Sequence, residues 1–414
     1  MEINFGDSSF ILICSALVLL MTPGLAFFYG GMVRRKNVLN TLMSSFFICG
    51  LASVMWVLIG YSLAFGDNIG GVIGGLNFFG FNGVGGDPSS YAPTIPHELF
   101  AAFQMMFAII TPALITGSLV GRMRFSALFI FIALWSILVY YPLAHMVWGS
   151  GGLINSLGAV DFAGGDVVHI SSGVSGLVAC IVLGKRRGYG MMSYKPHNIP
   201  FVVLGAALLW FGWFGFNAGS ALNAGPLAVH AFMTTNTAAA SALLSWMLIE
   251  KIKHGKPTIL GAATGAVVGL VAITPAAGFV PLWSSIIIGA IVSPICFFFM
   301  TAVKSKFGYD DALDAFGCHG IGGVWGGIAT GLFGQTAINS VAQWNGLFFG
   351  DIKLLIAQIE GIAITIVFAA VMTFIILKVM KLFMTIRVES AEEADGLDVA
   401  EHGETAYPAF TGLD

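Results

Sequence analysis

The sequence predicts an all-α integral membrane protein of eleven transmembrane helices, built as two inverted five-helix repeats plus a long last helix. Three observations predict it. The first is composition: of 414 residues, 57% are hydrophobic and only 9% charged, and the mean hydropathy is +0.89. Soluble proteins are about a quarter charged, and a core large enough to hide this much apolar surface from water is implausible, so lipid must cover it. The second is a series of apolar runs long enough to span a bilayer. They fall at about 8–31, 40–65, 97–120, 125–147, 162–184, 199–219, 227–250, 258–274, 279–302, 312–332 and 354–384. The third is the alternation of basic residues between successive connections.

Taken in order, Met1–Asp7 holds two acids and no base. A cleaved signal peptide begins with a positive region, so the first span is expected to be retained. Arg34, Arg35 and Lys36 follow span 1, Arg122 and Arg124 follow span 3, and Lys185, Arg186, Arg187 and Lys195 follow span 5. Lys251, Lys253 and Lys256 follow span 7, Lys304 and Lys306 follow span 9, and Lys378, Lys381 and Arg387 end or follow span 11. Of the 18 basic residues, only Lys353 falls on the other side. Basic residues collect on the cytoplasmic side. The expectation is therefore a multi-pass protein of the cell membrane, N-terminus outside and C-terminus cytoplasmic. Residues 66–96 and 333–352 lack Lys and Arg and read as outer loops. Cys14, Cys49, Cys180, Cys296 and Cys318 lie in apolar segments without CxxC spacing and read as small buried hydrophobes.

Residues 1–386 form the expected transmembrane unit, with repeats at about 8–187 and 199–332 and a last helix at about 354–384. Five spans per half is an odd number, so the second half must run opposite to the first. Spans 5 and 10, the last of each half, carry the sequence support for this. DFAGGDVVHISSGVSGL (161–177) and DALDAFGCHGIGGVWGGIATG (311–331) each place an Asp eight residues before a His: Asp161 and His169, Asp311 and His319. Eight helical residues rise about 12 Å. In a hydrocarbon core about 30 Å thick, histidines entering from opposite faces would differ in depth by only about 6 Å. Ionisable groups in spans are costly and mark substrate or ion paths. His169 and His319 are therefore the leading candidates for lining a pore. The plainer explanation is a pair of packed histidines bonded across helices. A zinc or copper site is a further rival, but no third ligand appears at suitable spacing. The glycines of both segments read as close-packing positions. The aspartates read as helix caps, with Asp161 expected to do more than cap. Asp166 is an additional acid in span 5 whose partner is left open.

Aromatic residues come next. Trp210, Trp213 and Phe216 with Ser220 fall toward the outer end of span 6, Trp148 at the outer end of span 4, and Phe103 and Phe107 in span 3. They suit either a membrane-belt anchor or a cation site in which rings and a hydroxyl hold an ammonium group. The tail, 387–414, holds eight of the 21 acids and reads either as a solvated end or as a docking and regulatory segment. No Walker A, GxSxG or HExxH motif occurs, so neither an enzyme nor a nucleotide-driven pump is indicated.

Several segments together resemble the ammonium transporter family (Amt/Mep/Rh), and its microbial and plant branch more than the Rhesus branch. They include AFFYGGMVRRKNVLN (26–40), HMVWG (145–149), DFAGGDVVHI (161–170), GKRRGYG (184–190), WFGFNAGSA (213–221), GKPTILGAATGAVVGLVAITPAAG (255–278), DAFGCHG (314–320) and GLDVAEHGETAY (396–407). The resemblance covers almost the whole chain. It implies a homotrimer in the lipid membrane with one pore per subunit and no cofactor. It implies ammonium held outside by Phe107, Trp148 and Ser220 with Asp161 nearby, a gate of Phe107 and Phe216, and paired pore histidines, His169 and His319. It implies a tail that couples subunits and meets a PII-type signalling protein. On this reading ammonium sheds its proton and ammonia is conducted, with the proton following separately if transport is electrogenic. An ammonium sensor and a neutral-gas or water channel are the rival functions.

Overall fold

The computed structural model describes residues 2–407, so tail residues 408–414 lie outside the described residues. Eleven long helices appear: α1 Phe5–Met32, α2 38–65, α3 His97–Leu119, α4 125–148, α5 Gly165–Leu183, α6 Ile199–Gly219, α7 Pro226–His254, α8 Ile259–Ile273, α9 Leu282–Phe307, α10 316–333 and α11 Lys353–Phe383. Among the described residues, nine are long and apolar enough to cross a membrane by themselves, and the shorter α8 and α10 complete the set. Each matches one expected span.

The C-terminal ends that depart most from expectation are those of α7 and α9, at His254 and Phe307, several residues later than expected. Their last turns carry Lys251, Lys253 and His254, and Lys304 and Lys306. Cations there complement the negative end of the helix dipole and keep the helix going past the apolar run. Gly255 (φ 80°) and Gly308 (φ 65°) then stop each helix in the left-handed conformation. The two halves meet along α1 and α6. At Gly205 a Cβ would stand 2.2 Å from the backbone nitrogen of Phe28, so only glycine allows this approach. α5 packs between α3 and α11, and α7 lies against α8 and α9.

One end of the bundle carries more structure than the loop expected at 66–96. Strand β1 (Asn68–Ile69) pairs with β2 (Ile73–Gly74), and β3 (Pro88–Ser89) with β4 (Ala92–Pro96). Gly70 and Gly71 take positive φ, which closes the first hairpin. This end is called the hairpin face below, and the opposite end the tail face.

The tail is not a solvated end. It folds back as α12 (Ser390–Asp395) and α13 (Leu397–His402) against the loops of its own face. Asp398 accepts from the backbone N–H groups of Val38 (3.0 Å) and Asn40 (2.9 Å), capping α2 from 360 residues away. Glu401 does the same for α4 through the N–H of Phe125 (2.9 Å). Orphan N–H groups at helix starts need such acceptors. Leu397 is fully buried. Arg124–Glu392 and Arg387–Glu393 pairs complete the docking.

Beneath the tail, Asp310 holds three loops together. It bonds Arg186 side chain to side chain at 2.7 Å and lies 3.9 Å from Arg122, whose guanidinium also donates to the Asp310 carbonyl at 2.6 Å. Arg122 has no solvent exposure. Replacing one partner of a buried ion pair strands the other charge at a cost of about 3–5 kcal/mol. Asp310→Asn is therefore expected to lower the melting temperature in detergent markedly. An unchanged melting curve would show that Arg122 has its counter-charge elsewhere.

Candidate functional site

The site begins at the starts of α5 and α10. The Asp161 carboxylate accepts from the N–H groups of Gly164 (2.8 Å), Gly165 (2.6 Å) and Asp166 (2.8 Å). Asp311 accepts from Ala315 (3.2 Å) and Phe316 (2.8 Å). Both caps reach the residues four and five positions on. Both helices then open in a wider π turn, Gly165–Ile170 and Phe316–Gly320, and each turn contains the histidine. π turns are rare and cluster at functional sites.

Close approach of α5 and α10 brings the two turns together. A Cβ on Gly173 would lie 2.2 Å from the Gly320 nitrogen and 3.1 Å from the His319 carbonyl carbon. A Cβ on Gly323 would lie 2.9 Å from Ile170 and 3.2 Å from the His169 Cβ. Gly173 and Gly323 hold the same position relative to Asp161 and Asp311. Each helix thus supplies the glycine that admits the other's histidine.

His169 and His319 meet Nδ1 to Nδ1 at 3.3 Å, with ring planes 12° apart and centroids separated by 5.3 Å. Both are buried. A hydrogen bond between two Nδ1 atoms requires one donor and one acceptor. For two neutral rings this leaves one Nε2 as an acceptor and the other as a donor. The His169 Nε2 has no protein partner.

Aromatic rings stack on this pair from the hairpin side. Trp213 lies over His169 at 5.3 Å and 17°, with its N–H donating to Thr274 at 2.9 Å. Phe216 follows at 6.1 Å from His169 and sits 4.4 Å from Phe107, centroid to centroid. Above these rings is a cavity of about 170 Å³. Phe107, Trp148 and Ser220 line it together, and Phe107 and Trp148 meet edge to face at 6.0 Å. Ser220 donates its hydroxyl hydrogen to the Phe216 carbonyl (2.9 Å), which frees its oxygen to accept from a guest.

The structure adds two residues to the sequence-derived set. Gln104 lines the same cavity, and its carbonyl oxygen Oε1 has no partner. It lies three residues before Phe107, which puts both on one helical face. Trp213 was grouped with residues at an outer helix end but is 1% exposed and belongs to the histidine stack. Asp161 does not line the cavity. Its carboxylate is used on the start of α5, while its backbone carbonyl accepts from the Trp148 indole at 3.0 Å.

Known proteins resemble this chain over nearly its whole length. The sequence model of the Ammonium Transporter Family matches residues 9–407. An ammonium transporter of Bacillus subtilis is 57% identical over 404 residues, covering 98% of this chain and 99% of that one. The chain belongs to the ammonium transporter family. An ammonium transporter of Archaeoglobus fulgidus is 46% identical, covering 97% of this chain and 99% of that one. The crystal structure of Mep2 from Saccharomyces cerevisiae superposes with a TM-score of 0.90 at 38% identity, covering 99% of this chain and 93% of the other. A Sensor Amt Protein superposes at 0.87 with 26% identity, covering 96% and 98%. The chain is thus a multi-pass membrane transporter and not an enzyme.

On the tail side of the histidines the transporter has a second cavity, of about 270 Å³, into which His319 opens. Tyr29, Trp246, Glu250, Asp314 and Cys318 also line it. Asp314 has a φ of 58°, unusual outside glycine. It pairs with Lys304 at 2.7 Å. Asp166 faces away from this file of residues: its Oδ2 would lie 3.7 Å from a Cβ on Gly361 of α11, and its Oδ1 has no partner.

The crossing of α5 and α10 is testable. Gly173→Ala inserts a methyl group where backbone already stands, and overpacking typically costs about 1–3 kcal/mol. The expected result is a folded but less stable protein whose transport falls well below that of Gly176→Ala, a control on the same helix that meets the Ser118 side chain instead. Equal transport by both variants would detach histidine placement from this contact.

Proposed function

We propose that this transporter takes up ammonium at the hairpin face, strips its proton and passes ammonia along the histidine pair to the tail face. The observation that carries the reading is one continuous file. It runs from the cavity of Trp148 and Ser220, through the Phe107–Phe216 pair at 4.4 Å, to His169 and His319 at 3.3 Å. The aromatic faces offer cation–π attraction. Ser220 and Gln104 offer oxygen acceptors for ammonium N–H groups. Below, the two phenyl rings leave no polar group to replace water, so the charged form is penalised and neutral ammonia is favoured. The neutral histidine pair then presents one acceptor and one donor, which suits ammonia. Asp161 acts by position: it fixes the start of α5 and seats the Trp148 indole. Gating falls to Phe107 and Phe216.

The basic residues all but Lys353 collect on the tail face, which supports placing that face in the cytoplasm and the hairpin face outside the cell membrane. The homotrimer is proposed from the resemblance. The docked tail, 387–407, is proposed as the regulatory segment that meets a PII-type signalling protein. A sensor role has one observation behind it, the superposition with a Sensor Amt Protein. Ammonium flux through reconstituted vesicles separates the two readings, since a sensor would bind without carrying.

Two measurements test the mechanism. The double variant Trp148→Leu with Ser220→Ala is expected to weaken apparent ammonium affinity by about two- to thirtyfold, the value of one lost cation–π contact. Unchanged concentration dependence would reduce both to structural residues. His169→Asp places a carboxylate in the neutral pair and is expected to admit potassium, read as a potassium-dependent current in vesicles. Potassium exclusion equal to that of the parent would remove the pair from selectivity.

A further inference from the structure

A third cavity, of about 420 Å³, opens on the tail face between the first loop and the tail. From the loop come Arg34, Arg35 and Lys36; from the tail come Asp398, Val399, Thr405, Ala406 and Tyr407. Three cations thus face one acid. That acid is already engaged: the Asp398 carboxylate is buried and bonded to the N–H groups of Val38 and Asn40. Among the described residues, none of the three cations forms a salt bridge. They rest on neutral groups instead. Arg35 donates to the Tyr407 carbonyl at 3.1 Å and lies 5.2 Å from its ring. Lys36 donates to the Ala394 carbonyl. Arg34 lies over Tyr194, 5.1 Å from the ring centre. The Tyr407 hydroxyl is in turn 3.1 Å from the His197 Nε2.

Three other cations of this face have counter-charges: Arg122 and Arg186 share Asp310, and Lys304 has Asp314. The cavity instead gathers three cations into a positive pole beside an apolar wall of Val399, Ala406 and the Tyr407 ring. Arginine forks match phosphate oxygens in pairs, and a lysine adds a point charge. The geometry points to a binding site for a phosphate-bearing ligand, held jointly by the first loop and the tail. Such a ligand would lower the repulsion among the three cations and clamp the tail onto α1 and α2. The phosphate comes either from an anionic lipid headgroup, since Arg34 lies two residues past the end of α1, or from a soluble phosphate compound.

Hydrogen exchange of the full-length transporter at tail residues 390–407 tests this. Exchange is followed in phosphatidylcholine nanodiscs with and without inorganic phosphate, and in nanodiscs containing phosphatidylglycerol. A ligand at ten times its Kd is expected to slow opening of the tail by about tenfold. Arg34→Gln with Arg35→Gln should abolish the slowing, while ammonium flux measured on the same preparation reports that the bundle is intact. Slowing by phosphatidylglycerol alone assigns the site to lipid, and slowing by inorganic phosphate assigns it to soluble phosphates. If neither slows exchange, or if the double variant is slowed as much as the parent, the site does not exist as described. A second variant, Tyr407→Ala, removes the apolar wall and should weaken the protection without touching the arginines.

Discussion

Two helix backbones touch where α5 crosses α10, and the histidine pair depends on nothing larger than hydrogen standing between them. In lipid, helices gain little from the hydrophobic effect, because the surrounding tails are as apolar as leucine. Close van der Waals contact must hold them, and small residues allow it. Gly173 lets α5 settle on the Gly320 backbone, and Gly323 lets α10 settle against Ile170 and His169. Once that crossing exists the rest follows by packing: His169 meets His319, Trp213 covers His169, and Phe216 and Phe107 close over it. Widening the crossing by one methyl group would shift a stack in which every member leans on the next.

The structure also separates charge from the path. Asp161 and Asp311 sit at the starts of the two central helices, and their oxygens are taken up by backbone N–H groups. Asp166 is turned toward α11. What faces the aromatic file includes no carboxylate, lysine or arginine: phenyl rings, an indole and two imidazoles. Carboxylates build the scaffold of this segment and stay out of the aromatic file until the tail-side cavity, where Asp314 and Glu250 appear.

Much of this was legible in residue types. Long apolar runs, alternating Lys and Arg, and an Asp eight residues before a His are strong signals because lipid demands the first and penalises the charges of the other two wherever they are not placed for a reason. The matched Asp-to-His spacing singled out two residues 150 positions apart whose rings lie side by side in the structure. Other features had no such signature. A π turn has the same composition as an α turn, so the turns at His169 and His319 could not be read from propensity. Trp213 resembled an interfacial tryptophan because it lies near the end of its apolar run, where belt anchors also fall. Gln104 stands inside an apolar run, and its helical spacing from Phe107 is the clue the sequence offers to it. The acids of the tail left a solvated end and a docking segment equally open because their partners, the N–H groups of Val38, Asn40 and Phe125, lie hundreds of residues earlier.

The eight-residue interval from each capping aspartate to its histidine sets more than the meeting of the rings. Each interval is measured inward from its own side, so the pair is suspended from both surfaces at once. Bilayers differ in thickness between organelles and species, and a helix longer or shorter than its host tilts or draws the lipid toward it. Such adjustment would act first on helices with most surface turned outward, such as α7, α9 and α11, which run to 29, 26 and 31 residues. The short α5 and α10 share a fixed internal ruler that does not refer to the lipid. The same arrangement should therefore keep its midpoint in thin and thick membranes alike, which would let one sequence serve hosts of different lipid composition without retuning the centre.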